Sequence, residues 1–160
     1  MHNIFDAATM DIITRLFIAL FLGMVIGTER VWAHKTAGMR TYALVSMGAA
    51  LFIIISEMIA VKYMNIAAFD PTRIASQVIV GIGFLGAGSI MLQGSRLKGL
   101  TTASGLWITA GIGMAAGFGF FKLAVISTIL ILFVFIVLWF LEEQLKKTKY
   151  FIESTTEELN

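Results

Sequence analysis

Five apolar stretches, each close to the length a helix needs to cross a lipid bilayer, constrain this chain more than any other feature. The hydrocarbon layer is ~30 Å thick, and a helix that rises about 1.5 Å per residue crosses it in about 20 residues. The stretches run from Ile12 to Thr28, Thr41 to Val61, Ile74 to Leu92, Leu100 to Gly119 and Leu123 to Leu141. The first tolerates one charge, Arg15, and the last has neither a charge nor a glycine. Backbone amides in oil find no water, so a spanning segment has to satisfy them within its own coil. The pattern predicts an all-α fold, a polytopic transmembrane bundle of about five spans.

Composition supports the same conclusion. Of the 160 residues 58% are hydrophobic and 14% charged, against about 25% charged in an average soluble domain. A water-facing surface cannot be covered with so little polar material. The net charge of +2 gives no footing for nucleic acid as a partner. Cysteine is absent, which excludes disulfides, a thiol nucleophile and thiolate metal ligands. The two histidines, His2 and His34, are too few for a histidine-rich metal site. No GxxxxGK[ST] loop, HExxH helix or GxSxG elbow occurs, so neither catalysis nor a cofactor is expected. Met1 to Ile12 holds Asp6 and Asp11 but no Lys or Arg. That is unlike the basic front of a signal peptide, and the first stretch is expected to be retained.

Connections are short: Glu29 to Arg40, Lys62 to Arg73, Gln93 to Gly99 and Phe120 to Lys122. Consecutive helices therefore run antiparallel and lie side by side in one domain, 1–141, followed by a charged tail, 142–160. Arg30, Lys35, Arg40, Arg96, Lys98, Lys146, Lys147 and Lys149 fall on one side of a five-span bundle, and Lys62, Arg73 and Lys122 on the other. The base-rich side is expected to be cytoplasmic, which puts the amino end outside and the carboxyl end inside. Localisation in the cytoplasmic (inner) membrane follows, with lipid and other inner-membrane proteins as the expected partners. Asp70 is placed to cap the third helix, with Pro71 in its first turn.

Between helices in lipid, close backbone approach matters more than hydrophobicity. Gly23 with Gly27, and Gly113 with Gly117, form small-residue faces, and Gly81, Gly83, Gly86 and Gly88 make a denser run. Helix packing is the expected role of all eight, with a passage along exposed carbonyls the alternative for the run. Such faces also fit a homo-oligomer. The Gly- and Thr-rich fourth stretch is read as a full span, with a re-entrant or broken segment as the alternative.

Charges at the ends of membrane helices are candidates for function, because they are costly unless paired or wetted. Glu29, Arg30 and Arg40 flank the inner ends of the first two helices and are expected to form either a stop-transfer belt or a polar network. Glu57, Asp70 and Arg73 lie toward the outer side. Two carboxylates suit a hard divalent cation, so Glu57 and Asp70 are weak candidates for Mg²⁺, against the plainer reading of an edge charge and a helix cap.

Several of these pieces resemble one known family. Gly27-Thr28-Glu29-Arg30, Ala37 to Val45, Asp70 to Ala75, Gln77 to Gly88, and Gly99-Leu100-Thr101-Thr102-Ala103 followed by Trp107 occur in the order found in the MgtC/SapB family of bacterial membrane proteins. They cover roughly residues 20 to 120. The resemblance implies a five-span domain, with Glu29, Arg30, Arg40, Asp70, Arg73, Gly86, Thr101 and Thr102 at signature positions. It also implies a link to magnesium limitation, either as a non-enzymatic regulator of other membrane machinery such as the ATP synthase or, alternatively, as a transporter or channel for Mg²⁺ or another cation. Longer members add a soluble cytoplasmic domain, and an activity that requires it is not expected of a chain ending at Asn160. Met39 and Tyr42 stand where Leu and His are common in relatives, so an imidazole-dependent role is not expected at that corner.

Overall fold

The computed structural model describes residues 6–63, 70 and 72–147. They form five helices and one small hairpin. In chain order these are α1 (Ala7–Trp32), α2 (Met39–Tyr63), α3 (Thr72–Gly88), β1 (Met91–Gln93), β2 (Arg96–Lys98), α4 (Leu100–Gly117) and α5 (Phe121–Lys147). Three of them, α1, α2 and α5, are long and apolar enough to cross a membrane, and α3 is a shorter apolar helix. The architecture is all-α and of membrane type. Pro71 and residues 148–160 lie outside the described residues.

Helix α1 begins well before Ile12 because Asp6 caps it, its carboxylate accepting from Thr9 N at 2.8 Å. At the other end His34 N–H donates to Val31 O and Lys35 N–H to Arg30 O, the paired bonds of a Schellman stop. His34 takes the left-handed position with φ of 53°, a place usually given to glycine. Helix α5 continues to Lys147, so the first residues of the expected tail are helical, and it contains a π-turn at Val134–Leu138.

Helix α4 is the axis of the bundle and touches the other four helices. Thr102, Gly105, Leu106, Thr109, Ala110, Ile112, Gly113 and Ala116 are all buried, so the helix meets protein on most sides. Most of its Gly and Thr residues face protein, whereas Gly111 is open. Thr109 Oγ1 donates to Gly105 O at 2.7 Å, which satisfies the hydroxyl inside the helix. The fourth stretch is thus a continuous helix and not a broken one.

Two seams hold α1, α2 and α4 together. A Cβ placed on Gly23 would lie 2.5 Å from Tyr42 O, one on Gly27 2.5 Å from Met39 Cα, and one on Gly117 2.8 Å from Ala50 O. Gly113 is equally tight against the Ser46 backbone. The dense run behaves differently. Gly86 is at ordinary contact distance from Ala103, and Gly81, Gly83 and Gly88 would meet nothing within 4 Å. Close packing at those three is not realised among the described residues, because α3 lies on the outside of the bundle they form and buries only Ala75, Ile82 and Gly86 there.

The third stretch also ends earlier than its apolar run. Ser89 Oγ and N both donate to Gly86 O, closing α3, and residues 91–98 form an antiparallel hairpin with Leu92 opposite Leu97. Its two-residue turn, Gly94-Ser95, has φ of 63° at Gly94, the arrangement of a II′ turn with glycine first. Gly99, with φ of 93° and the Ser89 carbonyl against it, starts α4.

Candidate functional site

Two polar clusters sit at opposite ends of the bundle. At the end where α1 begins and α2 and α4 finish, Arg15 is the hub. Its Nη1 donates to Glu57 Oε2 at 2.7 Å and to Gly117 O at 2.9 Å, and its Nε lies 2.8 Å from Asp11 Oδ2. One guanidinium thereby joins α1, α2 and the carboxyl-terminal carbonyls of α4, where the helix dipole favours a cation. Asp11 was not among the sequence-derived candidates, although its spacing of four residues from Arg15 on one helix face is a readable signal.

At the other end Arg30 is 2% exposed, and its Nε and Nη2 both reach Glu29 Oε2. The ring of Phe135 covers the guanidinium, with Cζ 3.4 Å from the ring centre. Burying a lone charge there would be prohibitive. The carboxylate and the ring face replace the lost water. Phe135 lies in the π-turn of α5, and a side chain on Gly105 would collide with both Phe135 and the Tyr42 hydroxyl. Tyr42 is fully buried, and its hydroxyl points to Thr102 O at 3.4 Å. Four helices therefore converge on this cluster.

Of the remaining candidates, Thr102 joins the Arg30 cluster through its carbonyl, and among the described residues no hydrogen bond or ion pair ties Arg40, Asp70, Arg73 or Thr101 to either cluster. Arg40, Arg73 and Thr101 are exposed, while Thr102 is buried in α4. Asp70 caps α3, its Oδ1 accepting from Thr72 N at 2.9 Å and Thr72 Oγ1 at 2.7 Å. These bonds, the hydroxyl's first and the amide's second, hold its carboxyl below the ordinary aspartate range. The same effect from Thr9 lowers that of Asp6. Glu57 is engaged by Arg15 and Asp70 by its own helix, and among the described residues no group of three or more His, Cys, Asp or Glu gathers as a metal site.

A third feature is a lateral cleft of about 780 Å³ between α2 and α3, floored by Ala110 of α4. Leu44, Gly48 and Phe52 on one wall face Val78, Gly81 and Leu85 on the other. The wall is apolar apart from Thr41 at one end and Gln77.

Comparison with known proteins identifies the family. The sequence profile of the MgtC family matches residues 16–144. "Protein MgtC" of Salmonella typhimurium is 49% identical over 120 residues, which cover 75% of this chain and 49% of that protein. "Putative magnesium transporter YhiD" of Escherichia coli K12 is 39% identical over 149 residues, 92% of this chain and 69% of that protein. The chain spans about half the length of the MgtC relatives it matches. No solved structure matches it. The profile covers four fifths of the chain, taking in Glu57, both glycine seams and the Arg30 cluster, and the chain belongs to the MgtC family.

Proposed function

We propose that this is a multi-pass protein of the bacterial inner membrane that serves magnesium homeostasis, or adaptation to low magnesium, as a non-enzymatic regulator acting on membrane-protein partners. The observation that carries this reading is the commitment of its polar groups to one another. Arg15 holds Asp11, Glu57 and the end of α4, and Glu29 holds Arg30. The carboxylates best placed for a divalent cation are thus occupied with holding helices, while much of α2, α3 and α5 presents apolar side chains outward. The names of the relatives supply the link to magnesium.

Five crossings, with the amino end outside, agree best with the distribution of Lys and Arg. The chain has no cysteine, so single replacements report topology cleanly. Ser95→Cys in intact cells should resist a membrane-impermeant maleimide that labels Lys122→Cys, and the reverse pattern would invert the bundle.

The function itself is tested by reconstituting the purified chain in liposomes under an imposed Mg²⁺ gradient, alongside co-purification from native membranes. The expected result is no chain-dependent flux and recovery of a defined membrane protein. Mg²⁺ flux that Glu57→Gln abolishes would replace the regulator with a transporter.

A further inference from the structure

The cleft between α2 and α3 has a definite length, and that length selects what fits it. Along α2 it runs from Thr41 to Phe52, and along α3 from Ile74 to Leu85. Eleven residues of helix rise about 16 Å, close to half of the ~30 Å hydrocarbon layer. The slot is therefore one leaflet deep. A partner's transmembrane helix needs a seam about twice as long, whereas a lipid tail ends near the bilayer midplane.

Charge at one mouth of the slot identifies the rest of the ligand. Arg40 lies one turn before Leu44 on the same ridge of α2 that continues through Gly48 and Phe52, three residues that line the cleft. Side chains on a helix lean toward its amino end, so Arg40 extends past the start of α2 toward the headgroup layer. Because α3 runs antiparallel to α2, the hairpin that follows it emerges at this same end. There Leu92 and Leu97 share one face, while Arg96 and Lys98 occupy the other. Arg40, Arg96 and Lys98 are all exposed, and among the described residues none is ion-paired. Of the acids toward this end of the bundle, Glu29 is held by Arg30 and Glu142 by Lys146, while among the described residues no ion pair holds Glu143.

We propose that the cleft binds one anionic phospholipid, with an acyl chain between α2 and α3 against Ala110 and the phosphate at Arg40, under the positive charge of Arg96 and Lys98. A free phosphate would have no use for the apolar slot, and a cation would be repelled from its mouth. Gly48 and Gly81 face open space within the cleft, where an added Cβ meets no atom within 4 Å. They keep the slot wide enough for a chain of methylenes. The proposal rests only on residence in a bilayer, so it survives or fails independently of any regulatory partner.

Native mass spectrometry of the 160-residue chain in mild detergent, mixed with equal phosphatidylglycerol and phosphatidylcholine, tests it. One phosphatidylglycerol should be retained in preference to phosphatidylcholine, and excess glycerophosphate should not release it. Arg40→Gln, a surface change whose helical content and melting should match the parent, should cut that preference about fivefold, the worth of one base near an anionic headgroup. Gly48→Leu with Gly81→Leu should fill the slot and lose both lipids while the helical content is kept. Equal retention of the two lipids, indifference to Arg40→Gln, or release by glycerophosphate would overturn the proposal. So would a lipid count left unchanged by the double leucine variant, or a change of oligomeric mass in that variant in place of lipid loss, since the cleft would then be a contact between copies.

Discussion

Replacing glycine by alanine at two places in helix interiors should have opposite effects, and the structure fixes the signs. Gly23 and Gly48 are both helical, and alanine gains up to ~1 kcal/mol over glycine from helix propensity at either. At Gly48 nothing lies within 4 Å of the new methyl, so Gly48→Ala keeps that gain. At Gly23 the methyl would sit 2.5 Å from Tyr42 O, 2.8 Å from Ser46 Cβ and 3.0 Å from Ala43 Cα, whereas ordinary contact starts at 3.4 Å. Two of those neighbours are backbone and cannot rotate away, so α1 must retreat from α2 by about 0.9 Å.

A gap of that size forfeits roughly a quarter to a half of each dispersion contact along the seam, and overpacking of this kind costs about 1–3 kcal/mol. Set against the propensity gain, and with two rigid backbone neighbours placing the overpacking cost in the upper part of its range, Gly23→Ala should lower stability by up to about 2 kcal/mol. Gly27 faces Met39 on the same seam, and one retreat of α1 relieves both positions. Adding Gly27→Ala should therefore cost less than the sum of the single changes. Equilibrium unfolding in mixed SDS and non-ionic micelles measures the three single variants and the double variant against the parent. Equal signs for Gly23→Ala and Gly48→Ala, or strict additivity of the pair on α1, would refute the seam.

Arg15→Met should destabilise the bundle by about 2 kcal/mol, because it strands charged acceptors, while Glu57→Gln should cost only about 1 kcal/mol since Glu57 is wetter and more screened. The same unfolding assay decides, and equal losses would mean that Asp11 and the Gly117 carbonyl add nothing. Arg30→Lys should cost about 2 kcal/mol, since an ammonium cannot both fork to Glu29 and stack under Phe135; a variant as stable as the parent would show that the cluster does not need a guanidinium. The lowered carboxyl of Asp70 contributes fully above the ordinary aspartate value of about 3.9 and loses its effect as pH falls through its own depressed value. Thr72 amide protection should therefore exceed that of Asp70→Ala at neutral pH and converge with it in acid, and a difference that persists at every pH would contradict the cap.

How much of this was readable in the sequence depends on whether the deciding contact is local. Helices α2 and α5 appear where their apolar runs lie, since length and hydropathy are properties of the segment itself. The start of α1 was readable in the Asp6 to Thr9 cap but was masked by the absence of a strong apolar run before Ile12. The hairpin was readable in the Gly94-Ser95 turn, yet the apolar residues Ile90, Met91 and Leu92 extended the helical pattern over its first strand. Glu29 and Arg30 were identified as neighbours that could pair, and they do, without Arg40. Phe135 was not identifiable, because an aromatic in an apolar helix carries no mark of what it faces, and its approach to Arg30 involves a π-turn that the string Val-Phe-Ile-Val-Leu does not announce. Gly105 was missed for a related reason, as its purpose is to leave room for two side chains from other helices.

The glycines divide the bundle energetically as well as sterically. Gly23 and Gly27 of α1 and Gly113 and Gly117 of α4 recover their propensity cost in backbone contacts with α2, and the two arginine clusters fasten α1, α2, α4 and α5 at both ends. Helix α3 shares in neither device. Its open glycines at 81, 83 and 88 each give up as much as ~1 kcal/mol of helix propensity, and among the described residues no close contact offsets the loss. It is attached through three buried residues and closed at one end by a hairpin whose strands are exposed. Among the described residues the cost of those glycines stands uncompensated, which sets α3 apart from the glycine-packed helices. On this account α1, α2, α4 and α5 form the frame, and α3 with its hairpin is the element whose position depends on its surroundings.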